Sequence, residues 1–218
     1  MTEFVHRFVP SPTGLSHGLL LLHGTGGNEN TLIELGLALD PEAAILSPRG
    51  RSMEEGAPRY FRRFAESVFD EADVRRRASE LAEWIFHQRA VLGLKSLIVV
   101  GFSNGANMAT SLMLLHPETV DHLIAIRGQH VLHLDRLPDL SLRRVLLLHG
   151  DRDRYASREE GDRLAIQLEN AGAGVERHGL PAGHTLTRGD VQLAQHWLRA
   201  TAPLSPPWSE APQRYPSA

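Results

Sequence analysis

Cysteine is absent from the sequence, which excludes disulfide bonds, thiolate nucleophiles and cysteine-ligated metal sites. Long apolar runs are also missing, because no stretch reaches the roughly 20 residues that a membrane-spanning helix needs. Residues 1–7 show no basic segment followed by an apolar one, so no secretory signal is expected. A net charge of -3 gives no reason to expect nucleic acid or an anionic membrane as partner. We therefore expect a cytoplasmic protein that acts on a small molecule.

Short apolar runs alternate with amphipathic segments along most of the 218 residues. This alternation predicts an α/β fold with a mostly parallel central sheet, helices on both faces and no large cap domain. A single domain is expected over residues 1–202. The segment 203–218 is rich in proline and is predicted to be a flexible tail. The segment between Arg51 and Asp73 has no firm periodicity and is predicted to include a short helix.

One stretch carries a clear chemical pattern. The run Leu97–Val100 is short and β-branched, as in a buried parallel strand, and Gly101–Gly105 then reads G-x-S-x-G before a helical pattern begins. A sharp turn from strand to helix presents a serine hydroxyl at the edge of the sheet and favours glycine on both sides. The sequence therefore predicts Ser103 as a nucleophile, with the backbone amide of Asn104 as a donor to a developing oxyanion.

Three other loops with reactive side chains also follow predicted strands. They contain the glycine-rich segment His23–Asn28, Asp153 and His184. Because the carboxyl ends of parallel strands meet at one edge of a sheet, we expect these loops to lie near Ser103. The chain order of serine, aspartate and histidine also accompanies the strand-turn-helix serine.

These segments resemble the α/β-hydrolase superfamily, and more closely its phospholipase/carboxylesterase family of small serine esterases. The resembling segments are Leu22–Asn30, Gly101–Gly105, His149–Asp153 and Gly183–Thr185. A bacterial branch that includes esterases linked to hydroquinone and quinone resistance is similar over further segments, namely Ser47–Gly50, Arg59–Phe64 and Val68–Asp70. The resemblance covers about residues 19 to 200.

The resemblance implies a role for each reactive residue. His184 is expected to be the general base for Ser103, and Asp153 to orient the imidazole. Asp151 is the alternative to Asp153, and both aspartates also fit a turn or helix cap. Thr25 is expected to donate a second backbone amide to the oxyanion.

Residues expected to contact substrate are less specific in their pattern. They are Arg49, Met53, Tyr60, Phe61 and Arg127. For the first four, a packed surface helix with solvated arginines is an equally good interpretation. Arg127 follows a buried strand, where it either points at the site or pairs with a structural carboxylate.

Two other interpretations of the loops have little support. The glycines after His23 are followed by no G-K-[ST] sequence, which argues against a phosphate-binding loop. His130, His133 and Asp135 lack a metal-binding frame such as H-E-x-x-H. We therefore expect neither a metal nor an organic cofactor.

The predicted function is hydrolysis of small or aryl carboxylic esters by a serine carboxylesterase. A thioesterase, a lysophospholipase, a peptidase or a dienelactone-type hydrolase with the same triad is the first alternative. A non-catalytic ligand-binding protein of the same fold is the second. Apolar residues on the final predicted helix, Val191–Leu198, raise the further prediction of a homodimer.

Overall fold

A computed structural model describes residues 3–201 of the chain. Among these residues, seven strands form the central sheet: β1 (His6–Val9), β2 (His17–Leu22), β3 (Ala44–Pro48), β8 (Ser96–Phe102), β9 (His122–Ile126), β10 (Arg144–Gly150) and β11 (Gly174–Leu180). Their order across the sheet is β1-β3-β2-β8-β9-β10-β11. β1 pairs antiparallel with β3 and the other neighbours are parallel. This arrangement confirms the predicted α/β-hydrolase architecture.

In the described part of the chain, five helices cover the two faces of the sheet: α1 (Ile33–Leu39), α2 (Glu71–Leu92), α3 (Asn104–Leu115), α4 (Arg158–Asn170) and α5 (Arg188–Ala200). The apolar residues of α2, α3 and α4 form one core cluster with the sheet, and those of α1 and α5 form the other. Successive side chains of Leu19–Leu22 enter these two clusters alternately. A strand buried on both faces explains why this run is apolar throughout.

Helix α5 contributes apolar side chains to the second cluster. Trp197 is buried, and Val191 and Leu198 are partly buried against the same core. The side chains that raised the prediction of a homodimer therefore pack against the core of the same chain. The homodimer stays an untested prediction.

The segment predicted to include a short helix forms two β-hairpins instead. They are β4 (Ser52–Glu54) with β5 (Ala57–Arg59), and β6 (Arg63–Ala65) with β7 (Val68–Phe69). Both turn residues of the first hairpin, Glu55 and Gly56, have positive φ, and Glu54 pairs with Ala57. Two residues of positive φ make the turn type that matches the twist of a hairpin, and this favours strands over a helix.

Within residues 3–201 no cap domain is inserted. The two hairpins lie between β3 and α2 along the chain. None of the helices in this range is both long and apolar enough to cross a lipid bilayer. The tail predicted at 203–218 lies outside the described residues. The predicted domain boundary at residue 202 therefore stays a prediction.

Candidate active site

A strained serine marks the junction between β8 and α3. Ser103 has φ 52° and ψ -118°, in a region that residues with side chains rarely occupy. Its amide donates to the carbonyl of Ile126 at 2.9 Å, which holds the strained backbone in place. A Cβ at Gly101 would lie 2.5 Å from the carbonyl oxygen of Gly105. The glycine at position 101 therefore allows the close approach that turns the serine out of the sheet.

The hydroxyl of Ser103 belongs to a continuous chain of hydrogen bonds. Its Oγ lies 2.8 Å from Nε2 of His184, and Nδ1 of His184 lies 2.8 Å from Oδ2 of Asp153. The carboxylate can only accept, so it fixes the imidazole proton on Nδ1 and leaves Nε2 to accept from the serine hydroxyl. The structure thus brings together three side chains that are 31 to 81 residues apart along the chain.

Asp153 is anchored on both carboxylate oxygens. Its Oδ1 accepts from the amides of Tyr155 and Ala156, at 2.8 and 3.1 Å, and its Oδ2 faces His184. The Asp153 side chain has no exposed surface. Asp151 is exposed instead, and its carboxylate lies beside Gly179. Of the two aspartates considered from the sequence, Asp153 is the one that bonds the imidazole.

Aromatic rings flank the imidazole. The ring of Tyr155 meets the ring of His184 edge-on, with centroids 5.1 Å apart, and the ring of Phe102 lies 5.5 Å away on a tilt. Rings on two sides restrict the orientations that the imidazole can adopt. About a quarter of the His184 side chain stays exposed, so the site is open to solvent and to substrate.

The two residues predicted to donate to the oxyanion lie beside Ser103. Asn104 is the first residue of α3, where a backbone amide has no acceptor within its own helix. Thr25 lies in the loop after β2, and the next amide, Gly26, donates to the carbonyl of Pro58 at 2.9 Å. Thr25 and Asn104 both line the cavity beside Ser103.

His23 supports the loop that carries Thr25. It is fully buried, its Nδ1 donates to the Gly24 carbonyl at 2.7 Å, and its Nε2 accepts from the Gly50 amide at 3.0 Å. Burial lowers the pKa of His23 below its usual value. A neutral imidazole fits both contacts, because one nitrogen must donate and the other must accept.

A cavity of about 210 Å³ opens beside Ser103. Besides the residues already described, its wall contains Arg59, Arg63, Glu66, Phe69, Asn107 and Gln129. Both arginines of the wall are held by one carboxylate, since Glu54 lies 2.9 Å from Arg59 and 2.8 Å from Arg63. The hydrogen bond from Arg63 lowers the pKa of Glu54, although burial acts against it. The wall therefore combines charged groups with aromatic rings.

The five residues predicted to contact substrate lie elsewhere. Arg49 makes a bidentate ion pair with Glu29, at 2.5 and 2.7 Å. Met53 is 62% exposed on the first hairpin. Tyr60 and Phe61 are buried in the core, where the Tyr60 hydroxyl donates to the carbonyl of Pro48 and the Phe61 ring packs on another aromatic ring.

Arg127 also turns away from the cavity. Its guanidinium is fully buried and binds both oxygens of Asp190 at 2.8 and 2.9 Å. None of the five residues lines the cavity beside Ser103, and their role in substrate binding stays a prediction. The wall residues that the sequence analysis did not name as substrate contacts include Arg63 and Glu66 of the second hairpin. Arg63 had a signal, because it lies in Arg59–Phe64, one of the segments similar to the bacterial branch. Phe102, the second residue of G-x-S-x-G, had a signal in that motif.

Comparisons with known proteins identify the family and the fold. A family model described as Phospholipase/Carboxylesterase matches residues 7–202. MhqD of Bacillus subtilis (strain 168), whose name assigns it to the hydrolases, is 37% identical over 186 residues, covering 83% of this chain and 92% of MhqD. A Bacillus cereus carboxylesterase structure has a TM-score of 0.87 and 36% identity, covering 90% of this chain and 94% of its own. A Mesorhizobium loti carboxylesterase structure has a TM-score of 0.80 and 30% identity, covering 86% and 90%.

Proposed function

The chain belongs to the phospholipase/carboxylesterase family, and from this membership we propose that it is a serine carboxylesterase. Its substrates in this proposal are small or aryl carboxylic esters, which it hydrolyses through an acyl-enzyme intermediate. The family and the carboxylesterases of similar structure support ester hydrolysis as the reaction class. The cytoplasmic location stays a prediction.

The observation that carries the proposal is the unbroken chain from Ser103 through His184 to Asp153, with both hydrogen bonds at 2.8 Å. Serine is a weak nucleophile unless a neighbouring base removes its proton, and an imidazole held by a carboxylate is the base that unrelated serine hydrolases share. A serine that served only to shape a turn would need neither the imidazole nor the buried carboxylate.

The first half of the proposed reaction forms the acyl-enzyme. Ser103 Oγ attacks the ester carbonyl as His184 Nε2 takes the hydroxyl proton. The amides of Thr25 and Asn104 donate to the oxyanion of the tetrahedral intermediate. His184 then returns the proton to the leaving alcohol, and the carbon–oxygen bond of the ester breaks. Asp153 stabilises the imidazolium that forms between these steps.

The second half returns the enzyme to its starting state. Water attacks the acyl carbonyl as His184 takes one of its protons, and the same two amides hold the new oxyanion. Collapse of this intermediate releases the carboxylic acid and returns the proton to Ser103 Oγ. Every proton in this cycle passes between substrate, water and side chains of this chain, so the proposal requires no cofactor.

The size and the charges of the cavity favour substrates with small acyl or alcohol groups. At about 210 Å³, it is smaller than the roughly 300–1,000 Å³ of pockets that enclose drug-sized ligands. Arg63 and Glu66 also place charges on its wall. A long alkyl chain would remove water from these charged groups without offering them a hydrogen bond, at a free-energy cost. We therefore place a lysophospholipase below an esterase for short chains.

The test is a panel of p-nitrophenyl esters of increasing acyl length, repeated with naphthyl and hydroquinone esters. The proposal predicts the highest kcat/KM for short acyl chains. Replacement of Ser103 by alanine should lower kcat by about 10⁶, the scale seen when a serine nucleophile is removed. Thioesters and enol-lactones in the same panel separate the alternative reactions on the same triad.

A fluorophosphonate probe separates an enzyme from a non-catalytic binding protein. The wild-type chain should be labelled at Ser103, which mass spectrometry of the labelled peptide would show. Absence of labelling in a folded wild-type chain contradicts the proposed nucleophile. The Ser103→Ala variant serves as the control for labelling at other hydroxyls.

A further inference from the structure

Arg127 lies at the end of β9 with all five of its guanidinium N–H groups in use. Nη1 and Nη2 bind the two oxygens of Asp190, and Nη1 also reaches the carbonyl of Leu148 at 3.2 Å. Nε donates to the carbonyl of Gly183 at 3.0 Å, and Nη2 donates to that of Thr185 at 3.2 Å. A buried guanidinium in which every donor is satisfied is a fixed fork rather than a mobile side chain.

The backbone of Arg127 is itself constrained. Its φ of 58° falls in the left-handed region, which is rare for a long side chain. Its amide donates to the carbonyl of Leu148 at 2.9 Å, the same carbonyl that Nη1 reaches. A strained conformation persists only where the surroundings fix it, and such residues cluster at functional sites. This strain is a second observation, independent of the side-chain contacts.

Two of the Arg127 acceptors have a particular position in the chain. The carbonyls of Gly183 and Thr185 belong to the residues immediately before and after His184. The Arg127 guanidinium therefore binds the backbone on both sides of His184, the residue whose imidazole bonds Ser103. The Arg127 side chain does not line the cavity and contacts none of the triad side chains.

Asp190 connects the same fork to the start of α5. Its carboxylate closes a capping box with Thr187, accepting from the amide and the hydroxyl of that residue at 2.8 and 2.7 Å. It is completely buried. One carboxylate thus fixes both the arginine and the point at which the His184 loop becomes a helix.

We propose that Arg127 and Asp190 form a positioning pair that sets the location of the His184 imidazole. This inference rests on the proposed esterase function and deepens it. Displacement of a catalytic group by about 1 Å can cost about 10²-fold in rate. Loss of the pair should therefore slow the reaction without weakening substrate binding, because the cavity wall is made of other residues.

The main test replaces Arg127 by methionine, measured well below the melting temperature of the variant. We expect kcat to fall about 10- to 100-fold, with KM within twofold of wild type, and fluorophosphonate labelling to slow by the same factor. The downfield proton resonance of the His184–Asp153 hydrogen bond should broaden or disappear. This spectroscopic signal reports the imidazole directly, and a purely structural role would leave it unchanged.

Two further Arg127 variants separate charge from geometry and guard against misfolding. Arg127→Lys keeps a cation for Asp190, but a point charge on a flexible stem does not reproduce the fork. It should recover stability relative to methionine and leave kcat low. Arg127→Gly removes the backbone strain together with the fork. It should fold and show the same loss of kcat.

Arg89→Met is the matched control. Arg89 is also a buried arginine, only 3% exposed, and it donates to the carbonyls of Thr119 and Lys95 and pairs with Asp121. These partners lie where β8 and β9 begin, at the opposite edge of the sheet from Ser103. The control should lose thermal stability and keep wild-type kcat, labelling rate and proton resonance.

The two proposals fail in different ways. A folded wild-type chain that neither hydrolyses esters nor reacts with fluorophosphonate overturns the esterase proposal, and the positioning role with it. An active wild-type chain whose folded Arg127→Met and Arg127→Gly variants keep normal kcat and an unchanged proton resonance overturns the positioning role alone.

Discussion

Gly105 lies so close to the end of β2 that any side chain there would overlap the carbonyl group of Leu22. This contact seats the first turn of α3 against the strand from which the Thr25 loop departs. The two amides proposed to bind the oxyanion belong to these two elements. The glycine therefore fixes the separation between the two halves of the proposed oxyanion site.

Replacement of Gly105 by alanine should damage both stability and catalysis. Because the added methyl meets backbone rather than a flexible side chain, α3 or β2 must shift, and overpacking of this kind typically costs about 1–3 kcal/mol. A shift of the oxyanion donors should also lower kcat by about 10². Thermal unfolding and p-nitrophenyl acetate hydrolysis measure the two effects. Gly174→Ala is the control, since its nearest neighbouring atom would lie 3.9 Å away.

Asp153 and Asp151 offer a matched pair of substitutions. In Asp153→Asn the amide oxygen still accepts from Tyr155 and Ala156, while the NH₂ group faces His184 and imposes the wrong tautomer. We expect kcat to fall by about 10⁴ with little loss of stability. Asp151→Asn should keep kcat within twofold of wild type. Equal losses in the two variants would contradict the assignment of the orienting carboxylate.

The sheet and the serine turn could be predicted because their signals are local. The run Leu97–Val100 marks a buried strand, and Gly101–Gly105 marks the turn after it. The parallel topology then brings the reactive loops together, because all parallel strands place their following loops at one edge of the sheet. This is why three residues distant in sequence could be expected near one another. The contact between the aspartate and the imidazole, in contrast, depends on the conformation of one loop.

The wall of the cavity could not be predicted in the same way. The first hairpin depends on positive φ at Glu55, a residue that does not signal such a turn as asparagine or aspartate would. Arg127 was expected either at the site or on a structural carboxylate, and the structure shows the second. Its partner Asp190 is 63 residues away, and no spacing rule connects the two.

The buried imidazole of His23 predicts a dependence of stability on pH. Burial lowers its native pKa below the ordinary value of 6.5. Between that lower value and 6.5 the unfolded chain binds a proton that the native chain does not, so stability is full above pH 6.5 and falls as the pH drops below it. Burial also lowers the pKa of His116, His122, His130 and His149, which adds to the same trend.

The corresponding experiment measures melting temperature between pH 7.5 and 5.5. His23→Gln should melt at a lower temperature than wild type at pH 7.5, because the contacts to Gly24 and Gly50 are weakened. Its melting temperature should then fall less steeply with acid than that of wild type. The exposed His196 gives the control His196→Gln, which should keep the wild-type slope. An unchanged slope in His23→Gln would mean that this imidazole is not protonated on unfolding.

Loss of the Glu54 charge should change substrate affinity without affecting the triad. Glu54 holds Arg59 and Arg63 in the cavity wall, and Glu54→Gln would replace this carboxylate with a weaker neutral partner, although Arg63 would keep its ion pair with Glu66. KM for short esters should rise about threefold to tenfold, equivalent to about 1 kcal/mol, while kcat stays within twofold. The exposed Glu83→Gln provides a control that removes the same charge elsewhere. A fall in kcat at unchanged KM would contradict this prediction, because it would show the loss of an interaction made only in the transition state.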